Sequence, residues 1–479
     1  MLGDIPKFSL YIGEKMIRKH HDTNMTEGPL FGKIFMFALP IMLTGVLQLF
    51  FNAADIAVVG RYAENGDIAV GAVGACGSLI NLIVNTAMGL SVGVGVSVAH
   101  DIGSGDHERL RRVVHTAVSF SAIVGVAVAV FGFIFAAPLL GLMGTPDNVL
   151  AEAVPYMKAY FVGVPACMVY NYAAAAIRSS GDTTRPLIFL VVAGVVNVIL
   201  NLVMVIAFGM GAVGVGISTA ASQYVSMILA IVYMFKTKGL CRLDLTNLRP
   251  RADSVIRILR VGIPSGLQSM LFDFSNVLIQ STVNSFGDTV ISGHATARNV
   301  DGFVYMCIYS VSQAIIVFAG QNMGAGKYNR LDRVLLCGLG LVTAVGVTMS
   351  TVAMIFGRPL LNFYTPNAPL VVEAGMRRLW VVCAPYFLCG LMDTAASFNK
   401  GIGKQIAPTL IVLIGTCLFR VIWIFTVCRI FPGSPETPEN TFWLYLSYPV
   451  TWTIAFAGNA VYYLMVRKKL LSGRLDVRV

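Results

Sequence analysis

A helix needs about 20 mostly apolar residues to cross the hydrocarbon of a bilayer. This sequence supplies twelve such stretches: 34–59, 68–98, 113–139, 155–178, 186–208, 211–235, 258–286, 291–323, 334–357, 376–399, 407–432 and 442–466. The runs at 68–98 and 291–323 exceed the need and must tilt, bend or emerge into water. Twelve buried apolar helices leave little room for charge, and only 12% of the 479 residues are charged, against about 25% in a soluble domain. The expected fold is therefore an all-α polytopic membrane protein.

Charge sets the orientation. Counting from the N-terminus, alternate loops and both tails hold 27 of the 35 Lys and Arg, the opposite side holds seven, and Arg420 alone falls within a span. The richer side is expected to be cytoplasmic, with both termini on it. The net charge of +11 is then a complement to an anionic leaflet, so the partner is the lipid bilayer and not nucleic acid. The longest basic loop, 237–257, divides the chain into 31–236 and 258–467, each of six spans, with tails at 1–30 and 468–479. Residues 1–30 lack the pattern of a cleavable leader. Within them Phe8–Arg18 is weakly amphipathic and reads equally as a surface helix or as tail.

The halves repeat. GSGDHERLRRVV (Gly103 to Val114) aligns with GAGKYNRLDRVL (Gly324 to Leu335) at an offset of 221, and AAAAIRSSGDTTRP (Ala173 to Pro186) with AASFNKGIGKQIAP (Ala395 to Pro408) at 222. ALP at Ala38–Pro40 mirrors GIP at Gly262–Pro264. Six spans per half insert both halves the same way round. The expected architecture is two six-helix lobes related by a pseudo-two-fold along the membrane normal, with a site between them.

Asp55 is the one acid of the first half that falls clearly inside a span. A carboxylate there costs roughly 2.5–3.5 kcal/mol even on the lenient insertion scale. It must be protonated, cation-bound or wetted by a cavity. Asn197 and Asn201 share a face of span 5 at i, i+4, and Thr219 lies about two turns into span 6. These four oxygen-bearing side chains fall at similar depth on three helices, with no basic residue beside them. The set suits a proton, Na⁺ or a cationic substrate. It reads alternatively as an acid snorkelling to the interface beside asparagines that tie helix to helix. The second half holds Asp273, Asp301 and Asp393 in its spans as a possible polar or substrate site. Arg420 cannot lose its proton, and it is expected to pair with one of these acids.

Enzyme chemistry finds no footing: H-E-x-x-H, G-x-S-x-G and the P-loop are all missing. The nine cysteines include no C-x-x-C and mostly lie in spans, so neither a disulfide framework nor a zinc site is expected.

Several stretches together resemble one family, multidrug and toxic compound extrusion (MATE), over about residues 30–467. They are Pro40 with NAADIAVVGR ending at Arg61, GSGDHERLRRVVHTA (Gly103 to Ala117), IRSSGDTTRP (Ile177 to Pro186), NVILN (Asn197 to Asn201), GISTAASQ (Gly216 to Gln223), GIPSGLQ (Gly262 to Gln268) and GQNMGAGKYNR (Gly320 to Arg330). The last two look closest to the bacterial DinF-like branch. The resemblance implies two lobes around a V-shaped cavity in an inner-membrane antiporter. Such a protein, a monomer without cofactor, exports cationic amphipathic small molecules in exchange for H⁺ or Na⁺. It implies that Asp55, Asn197, Asn201 and Thr219 hold the coupling ion, and that the first helix bends at Pro40. In many relatives position 201 is an aspartate, so this chain carries one carboxylate where they carry two. Asp273 lies close to a helix 7 glutamate of other branches, and Asp393 matches nothing in the pattern. A lipid-linked precursor flippase of the same superfamily is the alternative.

Overall fold

The computed structural model describes residues 25–472, which are almost entirely helical. Phe8–Arg18 and the outer parts of both tails lie outside the described residues. Twelve long helices follow in order: α1 Leu30–Tyr62, α2 Gly66–Ser104, α3 His107–Leu142, α4 Asp147–Ser179, α5 Thr184–Ala207, α6 Gly211–Lys236, α7 Ala252–Asn284, α8 Asp288–Gly324, α9 Tyr328–Ile355, α10 Pro369–Gly401, α11 Ile406–Ile430 and α12 Thr441–Leu471. Nine of them are apolar enough to cross a membrane individually among the described residues, and α10 makes a tenth if its two pieces count as one span. Those pieces meet at 42° beside Pro385, where the ring displaces the preceding turn. α7 and α12 complete the set. α7 is less apolar than the nine because it carries Arg257, Ser265, Gln268 and Asp273, three of which bond or face side chains on other helices.

The helices overrun the apolar runs. α7 begins at Ala252 where hydropathy marks 258, and α10 at Pro369 where it marks 376. Hydropathy registers only the part in hydrocarbon, whereas a helix continues until a cap or proline stops it. Gly105 ends α2 in the left-handed region at φ 72°, and its repeat mate Gly326 does the same after α8 at φ 68°.

The two halves pack alike. α2, α3, α4 and α6 interlock as α8, α9, α10 and α12 do, with α5 and α11 against the flanks. Across the molecule α1 packs on α8, α2 on α7, and α2 on α8. The α2–α8 contact maps onto itself under the repeat. Gly103 lies against the backbone of Gln321, and Gly324 against that of His100, so a Cβ at either would collide with a carbonyl. The offset of 221 carries each member of one contact onto the other. Nearby, Arg257 of α7 donates to both oxygens of Asp101 of α2 at 2.8 Å, and Gln321 donates to the Ser179 carbonyl at 2.8 Å. These ties lie on the side that holds residues 25 and 472. Among the described residues no hydrogen bond or ion pair joins the halves beyond a mid-depth contact of Asn85 with Asp273. The polar ties between the lobes thus concentrate on the terminal face, while towards the other face α1 and α8 meet through Phe50 and Phe303, 5.5 Å between ring centroids.

Candidate ion and substrate sites

α1 brings Asp55 to the N-terminal lobe because Gly194 of α5 lets the Phe51 ring lie directly on its backbone. One turn further on, the Asp55 carboxylate accepts from the Asn201 amide at 2.5 Å. The same nitrogen lies 3.3 Å from Asn197 Oδ1, and the Asn197 amide donates to Thr219 Oγ1 at 3.5 Å. Asn201 is fully buried and Asn197 nearly so, while Asp55 and Thr219 are half-buried. Asn201 Oδ1 is buried without a hydrogen-bond partner. Three helices therefore contribute a carboxylate, two amide oxygens and a hydroxyl to one point, and one of those oxygens is unsatisfied. Such an all-oxygen set fits a hard monovalent cation or a proton; it offers no soft ligand for a transition metal.

The C-terminal lobe distributes its charges otherwise. Asp301 of α8 accepts from Arg378 of α10 at 2.5 Å, with both side chains less than a tenth exposed. Asp393 sits among Tyr305 and Lys400, and Lys400 donates to Gln268 at 2.8 Å. Asp273 faces Asn85 and Arg298. All three acids thus have neighbours other than Arg420, which corrects the expected pairing. The Arg420 guanidinium lies 4.2 Å from the Tyr448 ring centroid and donates to Thr451 Oγ1 at 3.2 Å. The reason is direction: Arg420 leaves α11 towards α12, which presents aromatic and hydroxyl groups and no carboxylate there. Tyr448 continues into an aromatic ladder through Trp452 (5.7 Å), Tyr386 (5.1 Å), Tyr305 (6.5 Å) and Tyr309 (5.7 Å). Tyr309, at the mouth of the ladder, is 37% exposed.

Residues 40–203 and 264–426 each match the MatE family, so the two matches fall one on each lobe. The chain belongs to the MatE family. It is 28% identical to "Probable multidrug resistance protein YoeA" of Bacillus subtilis (strain 168), over 92% of this chain and 95% of that one. It is 23% identical to "Probable multidrug resistance protein NorM" of Thermotoga maritima, over 83% and 86%. A solved structure described as the "Outward-facing conformation of a multidrug resistance MATE family transporter of the MOP superfamily" superposes with a TM-score of 0.85 at 19% identity, covering 94% of this chain and 99% of that one. MatE proteins are membrane transporters, and this one is a transporter and not an enzyme.

In this MatE chain, Asp55, Asn197, Asn201 and Thr219 come together as one cluster. Asp273, Asp301, Asp393 and Arg420 make no hydrogen bond or ion pair with one another among the described residues, although Arg298 faces both Asp273 and Asp301, and Cys389 lies near Asp301, Asp393 and Arg420. Sequence reasoning missed Arg378, which it grouped with Arg377 on the outer side. The two are adjacent on α10, so they point about 100° apart; Arg377 is exposed and Arg378 buried. It also does not assemble the aromatic ladder, whose rungs come from three helices.

Proposed function

We propose that this protein is a secondary antiporter of a bacterial inner membrane. In this reading it acts as a monomer, with both termini cytoplasmic, and exports small cationic amphipathic molecules in exchange for H⁺ or Na⁺. The observation that carries the reading is Asp55: a carboxylate within the membrane, touched by an amide and by no basic side chain, beside an unsatisfied buried oxygen. An acid so placed exchanges one cation for another, whereas a structural acid would resemble Asp301, locked to an arginine.

In this cycle Asp55 takes the ion from the far side when the lobes part there. Asn201 orients the carboxylate, and Asn197 and Thr219 complete the oxygen set. Na⁺ is held by these four oxygens, or a proton by the carboxyl alone. Substrate enters the cleft from the terminal side once the lobes rock. The Tyr305–Tyr309 end of the aromatic ladder, with Asp393 and Asp273 of the same lobe near Tyr305, offers a cationic ring system an aromatic face and a counter-charge. A monovalent cation leaving as one H⁺ or Na⁺ enters moves no net charge, so the concentration gradient of the ion drives the exchange, and a tenfold ion gradient, about 1.4 kcal/mol, sustains a tenfold substrate gradient. The units 31–236 and 258–467 are the rocking bodies.

The test is efflux of a fluorescent organic cation from proteoliposomes, with a pH gradient and a Na⁺ gradient imposed separately. Wild type is expected to export under at least one gradient, and that gradient identifies the ion. Asp55→Asn is expected to insert normally and export no faster than empty liposomes. Gradient-driven export by Asp55→Asn at the wild-type rate would remove the carboxylate from the mechanism.

A further inference from the structure

On the terminal face, the starts of α3 and α7 enclose a cleft of about 160 Å³ lined by Arg109, Arg257, Arg260, Asp253 and Ser254. Asp101, behind the cleft, pairs with Arg257, so Arg109 and Arg260 are the cations in the lining without a carboxylate bonded to them among the described residues. Arg257 is 7% exposed, and although its Nη1 is held by Asp101, its Nε is buried without a partner. The side chains of Arg109 and Arg260 make no hydrogen bond or ion pair among the described residues. The first turn of α7 adds free backbone N–H groups, because Arg251 at its N-cap supplies no capping side chain.

The repeat shows what such a place requires. Arg330 is the mate of Arg109, and Lys33, at the start of α1, corresponds to Arg257. There the chain itself supplies the oxygens: Arg330 donates to the Gly28 carbonyl at 2.7 Å, Lys33 to that of Glu27 at 2.9 Å, and Lys327 pairs with the Glu27 carboxylate at 3.2 Å. At the α3–α7 cleft the preceding loop docks elsewhere. Asp244 pairs with Arg111, and the Arg251 N–H donates to Thr116. The cleft is left open.

Depth and direction say what fills it. α7 has 33 residues, so it is about 50 Å long against about 30 Å of hydrocarbon. Roughly six residues at each end therefore stand in the headgroup layer, which takes in Ser254 and Arg257. Arg260 lies one turn deeper. It shares its stripe with Ile256, Ile263 and Leu267, which are 59%, 55% and 47% exposed and form the lipid-facing side of α7.

We infer that the α3–α7 cleft is a binding site for the phosphate of an anionic lipid headgroup, held by Arg109, Arg260, the Arg257 Nε and the first turn of α7. Basic pockets between helices at this depth suit such headgroups. Arg257 also pairs with Asp101, so the lipid and the inter-lobe ion pair share one guanidinium.

The full chain in nanodiscs of equal phosphatidylglycerol and phosphatidylcholine, released for native mass spectrometry, gives the test. Wild type should retain phosphatidylglycerol in preference to phosphatidylcholine. Arg109→Gln/Arg260→Gln should lose about 25-fold in that preference, and the exposed single variant Arg260→Gln about fivefold. Arg429→Gln, at the opposite membrane face, should match wild type. Equal retention of the two lipids by wild type, or an unchanged preference in Arg260→Gln, would overturn the site. Displacement of the lipid by an equal concentration of inorganic phosphate would overturn the lipid assignment and leave a soluble-anion site.

Discussion

Asp301, Arg378 and Arg420 are all buried charges of the C-terminal lobe, yet their removal should differ in cost. Asp301→Asn leaves Arg378 buried against a neutral amide, and an orphaned buried charge costs about 3–5 kcal/mol. Arg420→Met orphans no carboxylate. It removes a ring contact and one hydrogen bond to Thr451, worth about 1–3 kcal/mol together, and methionine refills part of the space. Thermal unfolding in detergent should therefore rank Asp301→Asn well below Arg420→Met, and Asp301→Leu/Arg378→Met near wild type. Equal losses for Asp301→Asn and Arg420→Met would mean that Arg420 has an acidic partner after all. The contrast also marks the limit of legibility at this scale. Asp55 could be read from sequence because an acid in a hydrocarbon run is anomalous whatever surrounds it. The partner of Arg420 could not, because three acids lay within the same six spans and only rotation about α11 chooses among them. Asn197, Asn201 and Thr219 were legible by depth and helix face, but the amide order Asp55–Asn201–Asn197–Thr219 required the α1–α5 approach at Gly194.

α1 belongs to both lobes. From Leu30 to Gly45 it packs on the C-terminal half: Ile34, Phe37, Ala38 and Met42 join that core, Phe37 meets Phe318 edge-on at 5.7 Å, and Gly45 lies against Met306. From Phe51 onwards it packs on the N-terminal half, ending with Val58 and Val59 in that core. Pro40 sits in the first section, where its ring removes one helical N–H and crowds the preceding turn. In the proposed cycle a change of state at Asp55 acts on a helix whose near end is anchored to the opposite lobe, and the proline is a weak joint within that anchored section. Pro40→Ala restores the missing hydrogen bond and stiffens that joint. The folded yield should hold or rise while gradient-driven efflux slows about tenfold, the effect of ~1.4 kcal/mol on a barrier. Unchanged efflux would show that the joint is not used. The spans themselves were legible because apolar length is a physical requirement of the bilayer. The division of α1 between lobes was not, since both of its sections are equally apolar and hydropathy carries no information about which neighbour covers them.

For the whole molecule, rocking requires that the terminal-face seal be weak enough to break. The seal combines close backbone contact at Gly103 and Gly324, the hydrogen bond from Gln321 to Ser179, and one buried ion pair, Asp101–Arg257, whose residues are 1% and 7% exposed. The glycine contacts are dispersive and reform in any register that keeps the helices close. The ion pair is specific, and breaking it in the closed state alone shifts the balance between the two states. Asp101→Asn leaves Arg257 buried and unpaired only while the face is shut; once the lobes part, water reaches the guanidinium and the penalty disappears. A cost of about 3–5 kcal/mol then becomes a gain of two to three orders of magnitude in the open-to-closed ratio on that face, at about 1.4 kcal/mol per decade. Ser97→Cys reports it, because Ser97 is fully buried and its carbonyl touches Arg257. In a background without other cysteines, a maleimide supplied on the terminal side should label Ser97→Cys slowly, and Asp101→Asn/Ser97→Cys at least a hundredfold faster. Exchanging the charges as Asp101→Arg/Arg257→Asp should return labelling towards the slow rate. If Asp101→Asn leaves labelling slow, the glycine contacts and the remaining polar ties, among them Gln321 to the Ser179 carbonyl, hold the face without the ion pair.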